Sequence, residues 1–284
     1  MKNAIEIRNL RKNYPSFSLK DISLTLPSGC IMGFIGENGA GKSTTIKALL
    51  GLIKIDGGQL HLLGQKAVRE NRKLYNDVGF VLDNFTFPEG MTALQVGTML
   101  GDIYKGWDNS LYRKNLQNFS LDPKKKIKEY SRGMNMKLSI AAAISHGAKL
   151  LILDEPTSGL DPIIRDEILE ILRDFIQDEQ HAVFLSSHIT SDLEKICDYI
   201  TFIHNGKLLL SEEKDTLLGT YGILKCGKRD FDAIDPRYIH SYRKNDFGAE
   251  ALVKRKFMPD RYMIDPASLD DIMLFMVKGQ KFPQ

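Results

Sequence analysis

The alternation of apolar and polar residues at the start of the chain predicts β-structure with one solvated face. Between residues 3 and 26, Ile5, Ile7, Ile22 and Leu24 mark the apolar side, as expected for antiparallel strands. Four later runs are apolar at nearly every position, which is typical of strands inside a parallel sheet. These runs read CIMGFIG at 30–36, VGFVL at 78–82, LLILDE at 150–155 and AVFLSS at 182–187.

The segments between these runs predict helices, so we expect an α/β fold. Residues 43–52 follow the first run and contain an aliphatic stretch with helical character. Asp161 and Pro162 suit the N-cap and first position of a helix over residues 162–177. Residues 85–148 lack strand signals, and we expect them to be mostly helical.

The chain changes character after a predicted hairpin. Asn205 and Gly206 suit a type I′ turn between the apolar stretches on either side. Residues 221–284 are more polar and aromatic, and Ser268 with Asp271 forms a capping box before an amphipathic stretch. We therefore expect a main domain that ends near residue 220, followed by a small α+β accessory region.

The composition argues against several classes of protein. The 284 residues include 39 basic and 36 acidic side chains and carry a net charge of +3, so we expect no nucleic acid as a main partner. The three cysteines, Cys30, Cys197 and Cys226, are far apart, which argues against a disulfide framework or a zinc site and fits a reducing cytosol. The charged N-terminus and the lack of about 18 consecutive apolar residues predict neither a signal peptide nor a membrane span.

A glycine-rich segment directly after the first apolar run predicts a phosphate-binding loop. The sequence GENGAGKST matches G-x-x-x-x-G-K-[ST]. Its backbone N–H groups and the following helix N-terminus suit phosphate oxygens, Lys42 suits the β- and γ-phosphates, and the Ser43 hydroxyl suits Mg²⁺. The expected nucleotide contacts are Gly36, Asn38, Gly39, Ala40, Gly41, Lys42, Ser43 and Thr44.

Two carboxylates at the end of another predicted strand suit metal binding and general-base catalysis, for which the loop itself has no carboxylate in the expected contacts. Asp154 and Glu155 close the run LLILDE, at the strand edge where ligands collect in open parallel sheets. We expect Asp154 to hold Mg²⁺, and Glu155 to act as the general base that orients a water toward the γ-phosphorus. Together with the Lys42 loop, this edge predicts phosphoryl transfer.

These motifs make residues 1–220 similar to the ATPase subunits of ABC transporters. The family's fold is a RecA-like P-loop NTPase core with an antiparallel β subdomain and an inserted helical subdomain, here about residues 85–148. The resemblance extends to the segment SGLD, which ends at Asp161 and looks like the family's D-loop, and to SSH, where His188 takes the place of the switch histidine. It also places Tyr14 where an aromatic side chain stacks on adenine.

The segment Tyr130-Ser131-Arg132-Gly133-Met134 resembles the family signature LSGGQ. Ser131 and Gly133 are kept, whereas the leucine, the first glycine and the glutamine are not. In the family this segment closes on ATP that is held by a second subunit. A hydroxyl and free N–H groups at a helix N-terminus suit a γ-phosphate, and Arg132 adds a cation near it.

A second departure from the family pattern is Asp83, which stands where the family has a glutamine that touches Mg²⁺ or the attacking water. An aspartate still binds Mg²⁺ through water, but it donates no hydrogen bond when ionised. The aromatic residues Phe85 and Phe87 follow it. They suit either a docking surface for a membrane subunit or a loop that packs on the core.

The resemblance implies the ATP-binding and ATP-hydrolysing subunit of a membrane transporter, and the signature variant points to the exporter-like branch. It further implies ATP and Mg²⁺ as cofactors, a second ATP-binding subunit, a separate membrane permease, and a location on the cytoplasmic face of the membrane. Two alternatives remain at this point. One is a soluble ABC ATPase that acts on the ribosome or DNA without a permease, and the other is an ATP sensor with low turnover.

Overall fold

The apolar runs form the central strands of a sheet, as the sequence predicts. The structure is a computed structural model that describes residues 2–83 and 87–282. Within these residues the strand order is β10-β9-β3-β8-β7-β6, and β6, β7, β8, β3 and β9 run parallel. The strand bounds are β3 (Ile31–Ile35), β6 (Val78–Val81), β7 (Leu150–Asp154), β8 (Ala182–Ser187), β9 (Tyr199–His204) and β10 (Lys207–Glu213).

The alternating segment at the N-terminus forms the predicted antiparallel pair. Strands β1 (Asn3–Tyr14) and β2 (Phe17–Pro27) join β4 (Gly57–Leu62) and β5 (Gln65–Lys66) in a sheet of order β2-β1-β4-β5. Ile5, Ile7, Ile22 and Leu24 are buried in one core with the parallel sheet. The predicted turn between β9 and β10 is also confirmed, because Asn205 and Gly206 have φ of 48° and 73°.

The segment that lacks strand signals forms a helical layer with its own core. It contains α2 (Ala93–Ile103), α3 (Asn109–Asn118) and α4 (Arg132–Ile144), with a 3₁₀ turn at Ile127–Glu129. Phe87 is buried in this core, so it packs inside the helical layer and is not part of a docking surface. Phe85 lies outside the described residues.

The remaining helices of the main part flank the parallel sheet. They are α1 (Lys42–Leu49), α5 (Pro162–Phe175) and α6 (Thr190–Ile196), with a 3₁₀ turn at Leu74–Asp77. Asp161 caps α5 through hydrogen bonds from the N–H groups of Ile163 and Ile164, both 3.1 Å. The predicted cap and helix are therefore confirmed.

The last part of the chain contains a small sheet of order β12-β13-β11-β14 with helices, as expected for an α+β region. By internal contacts the chain divides into two units, Met1–Leu208 and Leu209–Gln284. Ser268 and Asp271 form the predicted capping box at the start of the last helix. The elements are α7 (Lys214–Thr220), β11 (Tyr221–Cys226), α8 (Lys228–Asp232), β12 (Ile239–Lys244), β13 (Ala249–Lys254), β14 (Ile264–Pro266) and α9 (Leu269–Lys278).

Candidate functional site

The glycine-rich segment forms a loop between β3 and α1, as the sequence predicts. Gly41 precedes α1 with φ of 118°, and a Cβ there would lie 2.6 Å from Leu19 Cδ2, so both conformation and space require glycine. Asn38 and Gly39 are exposed on the loop, whereas Gly36 and Ala40 are buried. The Ala40 carbonyl accepts a hydrogen bond from Gly206 N–H at 3.0 Å, which ties the loop to the turn between β9 and β10.

Lys42 is folded back over this loop. Its ammonium donates to the Gly36 carbonyl at 2.6 Å and lies 3.4 Å from the Glu37 carbonyl. The side chain is only 5% exposed. Ser43, the next residue on α1, is exposed and Thr44 is half-buried. A fixed cation therefore lies beside exposed loop backbone and an exposed hydroxyl, which is the donor set that a polyphosphate with Mg²⁺ requires.

Glu155 occupies the turn that follows β7. Its backbone is left-handed, with φ of 53°, a conformation that is uncommon for a residue other than glycine. Its N–H donates to Ser186 in β8, where the carbonyl oxygen and the hydroxyl oxygen each lie 3.1 Å away. These contacts hold the turn in place and direct the Glu155 side chain toward the phosphate loop.

The Glu155 carboxylate lies between Lys42 and His188. Oε1 is 3.1 Å from Lys42 Nζ, and Oε2 is 2.7 Å from His188 Nδ1 and 3.3 Å from the His188 N–H. The carboxylate is 11% exposed, while the His188 side chain is 48% exposed. The three residues predicted as catalytic thus meet at the carboxyl edge of the sheet, where a base beside a cation can orient a nucleophilic water.

Asp154, the last residue of β7, is 4% exposed. Its Oδ1 accepts a hydrogen bond of 2.5 Å from the Ser186 hydroxyl. A carboxylate held in this way at the carboxyl edge of the sheet fits Mg²⁺, which is bound through one or two carboxylates together with substrate phosphates and water. Ser186 was not predicted as a site residue, because its role depends on its register with Asp154.

Asp83 lies in a different environment from Asp154. Its carboxylate is 39% exposed, and Oδ1 is 3.5 Å from Arg132 Nη2. Two of the residues at which the sequence departs from the family pattern, Asp83 and Arg132, are therefore neighbours. Asp83 contacts the start of the signature helix α4, and its predicted contact with Mg²⁺ stays a prediction.

Tyr14 ends β1 and faces Phe17 across the hairpin. Its ring is 41% exposed and lies 5.3 Å from the Lys12 ammonium. Phe17 lies against the phosphate loop, because a Cβ at Gly41 would be 2.9 Å from Phe17 Cζ. Phe17, which was not predicted, therefore lies at the loop, and the hairpin pairs it with Tyr14.

Ser131 is the N-cap of α4, and its hydroxyl accepts a hydrogen bond from the Met134 N–H at 3.2 Å. Gly133 is buried, and a Cβ there would lie 2.7 Å from Ile164 Cγ2 on α5. Lys137, one turn later, forms an ion pair of 2.9 Å with Glu167 of α5. The signature segment is thus a capped helix start that packs closely on the helix capped by Asp161.

The strand, glycine loop and helix around Lys42, with the carboxylate pair at the end of β7, define a P-loop NTPase. A family model described as ABC transporter matches residues 19–158. The bacitracin transport ATP-binding protein BcrA of Bacillus licheniformis is 36% identical over 215 residues, which are 74% of this chain and 69% of the relative. The chain belongs to the ABC transporter family as an ATP-binding protein, and it is an ATPase.

Two further comparisons agree with this assignment. The lantibiotic transport ATP-binding protein SrtF of Streptococcus pyogenes is 35% identical over 216 residues, which are 74% of this chain and 91% of the relative. A solved ATP-binding subunit of an ABC transporter superposes with a TM-score of 0.68 at 26% identity, over 75% of this chain and 91% of that chain. In the described residues, no helix combines the length and apolar character needed to cross a bilayer.

Proposed function

We propose that this chain powers an exporter by binding MgATP at the Lys42 loop and hydrolysing it with Glu155 as the general base. The observation that carries the proposal is the position of the Glu155 carboxylate, 3.1 Å from Lys42 Nζ and 2.7 Å from His188 Nδ1. A cation that holds the γ-phosphate would thereby bring the phosphorus to the base. His188 would contact the same phosphate and orient Glu155.

The loop residues would bind the nucleotide in the manner of P-loop proteins. Backbone N–H groups from Gly36 to Thr44, including those of Asn38, Gly39, Ala40 and Gly41, would surround the phosphates, and Tyr14 would stack on the base. Mg²⁺ held by Ser43 and Asp154, with Asp83 as a further ligand through water, would neutralise charge on the phosphate oxygens.

A second ATP-binding subunit would complete the site. In this proposal Ser131, Gly133 and Asp161 of one subunit face the γ-phosphate held by the other subunit. The support is the capped helix start at Ser131, because such a terminus presents N–H groups and a positive dipole end to an anion. ATP that binds only the closed dimer tightly would drive closure, and hydrolysis would reopen it.

The permease would be a separate membrane protein, and this chain would sit on its cytoplasmic side. The relatives named for bacitracin transport and lantibiotic transport support an exporter. Residues 221–284 would be an accessory region that assists dimerisation. Removing these residues from Glu155→Gln should weaken ATP-dependent dimerisation measured by light scattering, and unchanged dimerisation would remove that role.

The main experiment is steady-state ATP hydrolysis by the full chain reconstituted with its permease. Loss of a general base costs about 10²–10⁴-fold, so Glu155→Gln should lower turnover by at least about 100-fold while ATP still binds. Glu170→Gln is the control, because Glu170 is an exposed glutamate on α5, and its turnover should equal wild type. If wild type hydrolyses ATP no faster than Glu155→Gln, the catalytic role of Glu155 is wrong.

A further inference from the structure

Ser186 makes hydrogen bonds to both residues of the acidic pair. It is fully buried in β8, where it pairs in register with Asp154 of the parallel strand β7. Its hydroxyl donates to Asp154 Oδ1 at 2.5 Å and accepts from the Glu155 N–H at 3.1 Å. A single hydroxyl therefore connects the predicted metal ligand and the predicted general base.

The direction of these bonds determines what the hydroxyl can do. A serine hydroxyl has one proton to donate, and here that proton goes to a carboxylate, which makes a strong, charge-assisted bond. This bond restricts rotation of the Asp154 carboxylate. The bond accepted from Glu155 N–H supports the left-handed backbone of that residue, from which the Glu155 side chain extends toward Lys42 and His188.

Ser187, the next residue, shows that the arrangement is specific to one face of the strand. It is equally buried, but successive side chains of a strand point to opposite faces. Its hydroxyl accepts a hydrogen bond from the Ile189 N–H at 2.9 Å, at the start of α6. The two serines therefore share a strand and a degree of burial, and only Ser186 contacts the carboxylate pair.

We propose that Ser186 is a positioning residue that sets the magnesium affinity of the site by orienting Asp154. This inference rests on the metal-binding role of Asp154 in the proposed function. Hydrogen-bond partners of metal ligands fix ligand orientation, and their loss typically costs about 10–100-fold in metal affinity or activity. The Ser186 hydroxyl has the geometry of such a partner.

The test measures the magnesium requirement for binding of a fluorescent ATP analogue to the full chain, separately from hydrolysis. Ser186→Ala should raise the Mg²⁺ concentration at half-saturation by about 10-fold or more. It should leave nucleotide affinity in EDTA unchanged, because the Lys42 loop is intact. Ser187→Ala is the matched control and should keep the wild-type magnesium requirement.

Further variants keep the result interpretable. Ser186→Cys keeps a donor at this position, although a weaker one on a larger atom, so it should give an intermediate shift. It replaces Ser186→Ala in the test if Ser186→Ala does not fold. Asp154→Asn tests the underlying role of Asp154. If Asp154→Asn shifts the requirement and the Ser186 variants do not, the inference about Ser186 is wrong. If Asp154→Asn itself has no effect, the metal-binding role of Asp154 is wrong.

Discussion

The Arg132 guanidinium at the start of α4 lies 3.5 Å from the Asp83 carboxylate that follows β6. The same guanidinium lies beside Gly159, because a Cβ at Gly159 would be 2.5 Å from Arg132 Nη1. Arg132 and Asp83 are the two residues with charges that the family pattern does not have at these positions. Their opposite charges offset each other across this contact, which links the signature helix to the end of a sheet strand.

Charge reversal tests this compensation. Asp83→Arg or Arg132→Asp alone should lower kcat/KM for ATP hydrolysis, because each brings like charges together. The double variant should recover part of the loss, with a coupling of about 0.2–1 kcal/mol, since both side chains are partly exposed. The coupling should shrink in 1 M salt, where the Debye length falls to about 3 Å.

The double variant also separates two roles of Asp83. Partial recovery supports the ion pair with Arg132. If the double variant is as slow as Asp83→Arg at every salt concentration, the contribution of Asp83 lies in the magnesium site and not in this contact.

The space around Gly133 gives a second prediction, about stability. Gly133→Ala should destabilise the fold by about 1–3 kcal/mol, because the new methyl group would lie 2.7 Å from Ile164 Cγ2. Ile164→Ala removes that atom, so Gly133→Ala should cost less in the Ile164→Ala background. Chemical denaturation of the four proteins measures the difference.

Gly219 is the control for this effect. It lies in α7, and a Cβ there would meet no atom within 4 Å. Gly219→Ala should therefore stabilise the chain by about 0.4–1 kcal/mol. Equal costs for Gly133→Ala with and without Ile164 would show that crowding by Ile164 is not the reason for glycine.

The features that the sequence predicts correctly depend on local pattern. The strand that leads into the Lys42 loop, the Asp161 cap and the Asn205-Gly206 turn each follow from neighbouring residues. Contacts between distant segments are different. Ser186 follows an apolar run and looks like an ordinary strand end, and only its register with Asp154 brings the two side chains together.

The same limit applies to other parts of the fold. Strands β4 and β5 were not predicted, because β4 begins with Gly57 and Gly58 and the two strands are short. The side chain that lies closest to Gly133 belongs to α5. The signature pattern therefore predicted that Gly133 lies close to a nucleotide, and it gave no indication that Gly133 packs against Ile164. The apolar and polar residues around Phe17 alternate as in any strand. The position of Phe17 against Gly41 follows from how the two sheets pack.

Ser131 provides a third prediction that separates capping from nucleotide binding. Aspartate caps helices as well as serine does, whereas alanine costs about 1 kcal/mol. Ser131→Asp should therefore keep the wild-type melting temperature, and Ser131→Ala should lower it. ATP hydrolysis should show the opposite order, because the carboxylate of Ser131→Asp would repel the γ-phosphate. If Ser131→Asp hydrolyses ATP at the wild-type rate, Ser131 is a helix cap only.

His146 gives the last prediction, on pH. The residue is buried two positions beyond the end of α4, with its ring stacked on Tyr104 at 4.2 Å between centroids. Burial lowers the pKa of His146 below its ordinary value of 6.5, although contacts with Ala142 O and the nearby Asp77 oppose this shift. The folded protein therefore binds a proton at His146 less readily than the unfolded chain does.

The sign of the effect follows from proton linkage. Well above pH 6.5 the imidazole is neutral in both states and contributes no pH dependence. As the pH falls below that value, the unfolded chain takes up the proton first, so the stability of the folded state decreases. His146→Phe keeps an aromatic ring against Tyr104 and removes the titrating group. The fall in melting temperature between pH 7.5 and about pH 5.5 should therefore be smaller in His146→Phe than in wild type, and an equal fall in both proteins would contradict the assignment.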